Sequence, residues 1–371
     1  TILEAENSII RKNIGQKVKN LWTKNSSGER IVVKENADEY EEGNYIVTTV
    51  REALQKNIQP DRFAVLYRAH AQSRAIEEAL VRHGVPYVIF GGLRFYERRE
   101  IKDVLGYMRL ALNPDDVASF TRIYNTPLRG IGATSFKNLQ DTGRALSGLL
   151  CDSEAIHELL GKKPATAIVE LGKLLNTLRQ KAKTSTPSEL VRAVLQLTHY
   201  ETYLRDGTAE GEERWENVKE LFTATAKYDI LEKPQGIEKF LEEVALIQEL
   251  DTGAESGPAL RLMTLHSAKG LEFPEVFVVG MEDGVFPHAR CLFNPTELEE
   301  ERRLCYVGVT RAKEKLHLLF CRQRTMYGST QVNPPSRFIF EIPEELISFM
   351  PAAPQTLNRD RQRDWERIIK Y

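Results

Sequence analysis

Apolar positions along this chain come in two textures. The first is short runs with little polar interruption: Phe63-Ala64-Val65-Leu66-Tyr67, the alternating Leu262, Met263 and Leu265, Val276 to Val279, and Leu316 to Phe320. Runs of that length, bounded by turn residues, predict strands of a sheet buried on both faces. Glu29 to Val33 and Tyr87 to Phe90 are weaker strands of the same kind. Between Tyr67 and Tyr87, Ile76, Leu80 and Val81 line one helix face that Gly84 closes. Strand, helix and strand with short joints form a βαβ unit, so the sheet is expected to be parallel. Ahead of it, Ile2, Leu3, Ile9 and Ile10 are spaced as in the middle of a helix packed on something upstream, which suggests a piece of a longer protein. A polar acidic segment, Glu35 to Glu42, then precedes a helix from about Asn44 to Lys56 that Pro60 ends.

The second texture begins at Gly91. From there to about Leu250 apolar residues recur three and four apart, predicting helices over Glu97–Leu112, Ala165–Lys183, Pro187–His199, Glu213–Tyr228 and Ile237–Leu250. A helical block inside an α/β pattern reads as an insertion, and the small, polar stretch Asp251 to Pro258 reads as its return linker. The expected fold is therefore α/β, a parallel sheet with helices on both faces, interrupted by a mostly helical inserted domain. Its segments are 1–92 and 256–345 for the α/β domain, 93–255 for the insert and 346–371 for a linker or tail. Late in the chain, Thr296 and Glu299 have capping-box spacing ahead of a helix whose buried side carries Leu304, Cys305, Val307 and Val309.

Composition narrows the classes. A chain of 371 residues holds two or three domains and a sizeable core. Fifty-one basic against fifty-three acidic residues leave it nearly neutral, so any nucleic-acid site must be a local patch. The four cysteines have no metal-type spacing, and Cys291, Cys305 and Cys321 fall in or beside apolar runs, as reduced core or near-core residues do. No apolar run reaches membrane-spanning length and no signal peptide opens the chain, so a cytoplasmic location is the expectation.

Candidate chemistry concentrates in two stretches. Thr264-Leu265-His266-Ser267-Ala268-Lys269-Gly270-Leu271-Glu272 sets polar groups at a strand exit, where α/β proteins bind ligands. A plain strand–turn–strand connection is the alternative. Arg311 falls at the C-terminal end of a helix, where a cation is also favoured by the helix dipole, by about 0.3–1 kcal/mol. In the insert, Gly130-Ile131-Gly132 before a helix can bring backbone amides close to a phosphate, although an ordinary interhelical turn has the same pattern. The basic run Arg94, Arg98, Arg99 and Lys102 alternates with Glu97, Glu100 and Asp103, as in a self-paired helix face. Glu282-Asp283 after a strand imitates a metal-binding carboxylate pair but reads as a turn.

The stretch Arg261 to His288, together with Glu300-Glu301-Arg302-Arg303-Leu304-Cys305-Tyr306-Val307-Gly308-Val309-Thr310-Arg311-Ala312, closely resembles two signature motifs of UvrD/PcrA/Rep-type superfamily-one DNA helicases. Phe63 to Arg74 resembles a third. The resemblance implies a RecA-like motor domain, with the helical insert contacting duplex DNA. Arg311 would then be an arginine finger aimed at the terminal phosphate of ATP, with Glu272 and the backbone of Gly270 at the ribose. Arg68, His70, Thr264, His266 and His288 would line a single-stranded DNA track; where this chain has His70 the family commonly has Asn. Arg129, Gly130, Gly132 and Thr134 would meet the duplex backbone.

No Gly-x-x-x-x-Gly-Lys-Ser/Thr phosphate cradle is present, since Gly161-Lys162 and Gly172-Lys173 lack both its spacing and its hydroxyl residue. The resemblance therefore implies that ATP and Mg2+ are held mostly by an N-terminal RecA-like domain of a parent protein, with this chain inactive alone. Partners would be single-stranded DNA, single-strand/duplex junctions, and repair or replication proteins, with 3′ to 5′ translocation. Two other readings remain: a non-catalytic duplex-binding or protein-docking module, and part of a helicase–nuclease.

Overall fold

The computed structural model describes residues 1–13, 28–250 and 257–352. In chain order these form α1 (Ile2–Ile10), β1 (Ile31–Asn36), α2 (Glu39–Gln55), β2 (Phe63–Tyr67), α3 (Ser73–Arg82) and β3 (Tyr87–Ile89). Ten helices follow: α4 (Arg99–Leu112), α5 (Val117–Ile123), α6 (Ala133–Asp141), α7 (Leu146–Leu150), α8 (Ser153–Leu159), α9 (Lys162–Ala182), α10 (Pro187–Thr198), α11 (Tyr200–Leu204), α12 (Ala209–Ala226) and α13 (Gln235–Leu250). The chain then runs through β4 (Leu260–Thr264), β5 (Phe273–Val278), α14 (Pro295–Val309), β6 (Ala312–Cys321), β7 (Arg324–Met326), β8 (Ser329–Gln331) and β9 (Ile347–Met350).

These elements fall into two compact units, residues 1–92 with 253–325 and 330–371, and residues 93–252 with 326–329. In the first, seven of the described strands make one sheet in the order β3-β4-β2-β5-β6-β1-β9, every neighbouring pair parallel. The expected RecA-like α/β sheet is present. Its centre is apolar on both faces because alternate residues of β2 serve two cores. Ala64 and Leu66 pack with Ala5, Ile9, Leu304 and Val309, while Phe63, Val65 and Tyr67 pack with Ile46, Val50, Ile76 and Leu80. The second unit is an all-helical core built around α4, with Val104, Leu105 and Met108 buried among Ile168, Leu190 and Val218.

Several elements depart from the sequence reading. Within this chain α1 packs on α14 and buries Ala5 and Ile9 in the sheet core, while Ile2, Leu3 and Ile10 are half-buried. The acidic segment Glu35–Glu42 is the end of β1 and the start of α2, with Asp38 accepting from the amides of Tyr40 and Glu41. The helix at 295 is capped by Asn294 with Pro295 in its first turn, not by a Thr296–Glu299 box. Ile347–Met350, expected to open a tail, is an edge strand paired with β1. The linker at 251–256 and the tail beyond residue 352 lie outside the described residues. The basic run of the insert is tied into its core more than along its own face: Arg98 donates to Asn217, Asn217 to Glu100, and Asp103 takes Arg122 and Tyr200.

The acids of α2 are buried because they have a partner. The guanidinium of Arg324 donates to both oxygens of Glu42 at 2.9 Å and to those of Glu282 at 2.8 and 2.9 Å. Cys321 Sγ lies 3.2 Å from the same guanidinium. The cluster Glu42, Glu282 and Cys321 has the spacing of a metal site, but Arg324 already fills it. Glu282-Asp283 is thus a turn held from both sides, Asp283 by Arg337 at 2.8 Å. Replacing Arg324 by Met strands two carboxylates in the core and is expected to cost about 3–5 kcal/mol in denaturant unfolding. That deficit should shrink as pH falls and the orphaned acids take up protons. Removing the exposed Arg62–Glu314 pair should cost about 0–1 kcal/mol. Equal losses for the two variants would deny the network its structural role.

Candidate nucleotide and nucleic-acid surfaces

In a parallel sheet all strands end on one edge, so the segments after β2, β3, β4 and β5 emerge there together. After β2, Gln72 Oε1 accepts from the amides of Arg68 (2.9 Å) and Ala69 (2.8 Å), closing the turn that carries Arg68 and His70. The His70 ring stands edge-on to Tyr67, with centroids 5.8 Å apart. After β3, Gly91 has φ +75°, and a Cβ there would come within 3.3 Å of Ser267 Oγ; one on Gly92 would come within 3.0 Å of the His70 ring. The chain therefore passes close over both residues. After β4, the buried Thr264 turns its hydroxyl onto Ser267, accepting the Ser267 amide at 3.1 Å and sharing a hydrogen bond with Ser267 Oγ at 2.9 Å. Thr264, expected along the strand track, thus spends its hydroxyl on Ser267, and the half-buried Ser267 is the nearer group to solvent.

One acid ties this edge to α14. Glu301, its side chain 6 % exposed, receives Arg68 Nε at 2.9 and 3.1 Å and Arg68 Nη2 at 2.8 Å. It also accepts the backbone amide of His288 at 3.0 Å. His288 Nδ1 in turn takes the amide of Arg290, fixing the ring at the start of its loop. His266 is exposed, yet packing on its ring pulls its pKa below the usual histidine value. The charge of Arg68 adds to the fall, and Glu301 and Glu300 oppose it. Arg68, His266 and His288 are thus brought together around Glu301, a residue the sequence reading passed over. The available signal was its spacing. Glu301 lies three before Leu304 and four before Cys305, on the buried stripe of the helix, where an acid requires a cation.

Arg311 follows the last turn of α14. Its Nε donates to the Val307 carbonyl at 2.9 Å, Nη1 to the Leu271 carbonyl at 2.7 Å and Nη2 to Thr310 Oγ1 at 2.7 Å. The Val307 contact satisfies a helix-end carbonyl, so Arg311 does serve the terminus of α14. The Leu271 contact sets the half-exposed guanidinium against the backbone next to Glu272. Glu272 itself is exposed and paired with Lys313 at 3.3 Å. Gly270, at φ +84°, is exposed and has open space where a side chain would stand. Arg311, Glu272 and Gly270 therefore share one surface of the first unit.

In the helical unit, the turn before α6 is stitched from inside. Arg129 Nη1 donates to the carbonyls of Ile123 and Pro127, both at 3.1 Å, and Nη2 donates to the Tyr107 hydroxyl at 2.6 Å. Burial pushes the Tyr107 hydroxyl up to about 12, against the opposing charge of Arg129. Arg129, expected to reach a phosphate, is instead the cation that holds the turn. Asn125 accepts the amides of Arg129 and Ile131, and Ile131 is buried beneath. What this leaves outward is Leu128 (79 % exposed), Gly130 at φ +74°, Gly132, Ala133 and Thr134. The first amides of α6 carry no side-chain cap.

The family model of the UvrD-like helicase C-terminal domain matches residues 1–323. The chain is 41 % identical over 359 residues to the ATP-dependent DNA helicase PcrA of Bacillus subtilis, covering 93 % of this chain and 48 % of that protein. It is 38 % identical over 358 residues to DNA helicase II of Haemophilus influenzae, covering 93 % and 49 %. With the ATP-dependent DNA helicase UvrD1 of Mycobacterium tuberculosis it shares 40 % over 377 residues, covering 95 % and 49 %. The chain spans about half the length of these curated relatives.

The Glu301 cluster makes an electrostatic prediction. Removing the cation by Arg68→Ala should raise the His266 pKa toward the ordinary value, and Glu301→Gln should lower it further. NMR titration of the His266 ring proton reads both. Shifts of the same sign in the two variants would mean that the cluster does not set the charge at this edge.

Proposed function

Because this chain belongs to the UvrD-like helicase C-terminal domain family, we propose that it is the C-terminal half of an ATP-dependent DNA helicase. It would supply the second motor domain and the insert of a protein whose other half holds most of the nucleotide. One observation carries the reading. The connection from Thr264 to Glu272 runs from the edge that gathers Arg68, His70, His266 and His288 to the carbonyl that holds Arg311. The same nine residues border both surfaces.

The residues of the nucleotide surface fit a phosphate and a ribose. Three donors of the Arg311 guanidinium are engaged by neutral oxygens, and the remainder of its five N–H groups can meet an anion. Arg311 would face the terminal phosphate and stabilise charge that develops there, an effect of about 10³–10⁵ in rate for such residues. Glu272 would accept from ribose hydroxyls beside the Gly270 backbone. When bound, Mg2+ neutralises phosphate charge during transfer; its ligands belong to the partner half. On the strand edge, Arg68 and Ser267 would position the DNA backbone, with Thr264 orienting Ser267. His70, His266 and His288 would pack on sugars and bases, with each stacked base contributing about 1–3 kcal/mol without reading sequence. In the insert, Gly130, Gly132 and Thr134 with the open amides of α6 would grip a duplex backbone. Arg129 would hold the turn in shape.

Closure on nucleotide would move the Arg311 surface, and the Thr264–Glu272 connection would carry that movement to the strand edge, giving 3′ to 5′ translocation. Repair and replication-fork clearance are the settings in which such a motor would serve. In the full-length protein, Arg311→Ala should lower DNA-stimulated ATP turnover by about 10³-fold or more while leaving single-stranded DNA affinity within about twofold of wild type. The present chain alone should turn over no ATP with or without DNA. Wild-type turnover by the Arg311 variant, or turnover by this chain alone, would end the assignment.

A further inference from the structure

The function proposed above uses Arg68 and His70 but not the residue that closes their turn. Gln72 is 5 % exposed, a polar side chain where burial has to be matched by hydrogen bonds. Its Oε1 accepts the amides of both Arg68 and Ala69, at 2.9 and 2.8 Å. Its own amide donates to the Ala69 carbonyl at 3.0 Å. Those two accepted amides lie where the ladder of β2 stops, since Tyr67 is the last residue of the strand and the last to pair with β4. Beyond it the backbone donors need an acceptor from elsewhere, and one carboxamide oxygen serves two of them in succession. Ser73 completes the closure by donating its hydroxyl to the His70 carbonyl at 2.9 Å.

The seat of this side chain is made by the segment after β5. Gly280 has φ +68°, and a Cβ there would stand 2.2 Å from Gln72 Nε2 and 3.0 Å from Val285 Cγ1. Any side chain at that position would push the carboxamide out. Gly280 is itself fixed, its amide donating to the buried Glu42 at 3.0 Å. Nε2 has no acceptor among the described residues, so the oxygen end is the one the position uses. Arg68 is therefore held at both ends, its backbone by Gln72 and its head group by Glu301. Glu301 takes Nε and Nη2, and the other N–H groups of the guanidinium can meet an anion.

We propose that Gln72 is a positioning residue for the strand edge. Its carboxamide oxygen sets the turn from which Arg68 meets a DNA phosphate and His70 a sugar or base, and the bare backbone of Gly280 leaves the room it needs. The proposal rests on the reading of Arg68 and His70 given above. It adds that their reach is decided by a buried group that never touches the strand.

The test is binding of a labelled oligodeoxythymidylate across a salt series by the full-length protein and its Gln72→Leu, Gln72→Asn and Gln72→Glu variants. Leu fills the volume without an acceptor, Asn holds its oxygen one bond short, and Glu keeps an oxygen in place; Asn decides where Leu does not fold. Leu and Asn should bind about three- to tenfold more weakly, within the range for coupled neighbours. Their slope of log affinity against log salt should be shallower by about 0.7, the share of one phosphate contact on a single strand. Glu should keep the wild-type slope and an affinity within about twofold of wild type. The DNA concentration that half-stimulates ATP turnover should rise in Leu and Asn while kcat at saturating DNA holds within about twofold. In an Arg68→Ala/His70→Ala background, Gln72→Leu or Gln72→Asn should weaken binding no further. Wild-type affinity and slope in Leu and Asn would overturn the proposal. So would a further loss in the double-alanine background, or weaker binding with an unchanged salt slope, which marks a general loosening of the fold. If the Arg68→Ala/His70→Ala protein itself binds as wild type, the strand-edge reading fails. If it binds weakly while Leu and Asn follow wild type, only the role of Gln72 fails.

Discussion

The constraint on which everything else depends is that the central strands are buried on both faces. β2, β4 and β5 give their side chains alternately to two apolar cores, so a polar group along them needs a partner, as Arg261 has in the Asp61 carbonyl and Glu275 in His317. Polar chemistry is thereby pushed to the strand ends, and because all the strands run one way, to a single edge. Arg68, His70, His266, Ser267 and His288 come from three separate segments, after β2, β4 and β5, and the sheet makes them neighbours. The α1/α14 core does the same for Arg311, which is set where helix packing ends and β6 begins.

Rigid placement of the edge loops falls to a few arginine–carboxylate contacts at the rim of the cores. Arg324 with Glu42 and Glu282 pins α2 to the segment after β5; Arg68 with Glu301 pins the segment after β2 to α14; Arg302 with Glu341 pins α14 to the chain near residue 340. Buried pairs of this kind contribute little net stability compared with apolar packing, since desolvation offsets most of their attraction. What they supply is exclusivity. A loop shifted by one residue leaves an unpaired charge in the core, so these loops have one affordable position.

The parts of the molecule that were legible in the sequence are those fixed by periodicity. Phe63–Tyr67 is a strand to the residue, the helices 99–112 and 187–198 lie within two residues of expectation, and the break into a helical block falls at Gly91–Leu93. What was not legible is where a charged side chain goes. Glu42 stood only at the end of a polar acidic segment and Glu301 only inside a motif, because hydropathy scores a carboxylate without its partner, and Arg324 is 282 residues from Glu42. Arg129 was expected at the duplex backbone, whereas its acceptors are the carbonyls of its own turn and the Tyr107 hydroxyl, which no pattern of side chains reveals. Thr264 faces inward because Ser267, three residues on, offers it a closer partner than solvent does. Asn294 outcompetes Thr296 as the helix cap because Pro295 suits the first helical position and fixes where the helix begins.

Arg311 brings these strands of argument together. Its first duty is local: the Val307 carbonyl at the end of α14 and the Leu271 carbonyl before β5 both need a donor, and one guanidinium serves both. That duty explains a cation at this position without any ligand. It also holds the head group on the carbonyl of Leu271, between Gly270 and Glu272 in the chain, so the structural contact places the group for the proposed chemical one. A guanidinium free in solvent would lose more rotational freedom on meeting a phosphate than one already held on two carbonyls. The helix terminus and the proposed arginine finger therefore reinforce rather than exclude each other. A residue can be required for folding and still be placed by folding for catalysis.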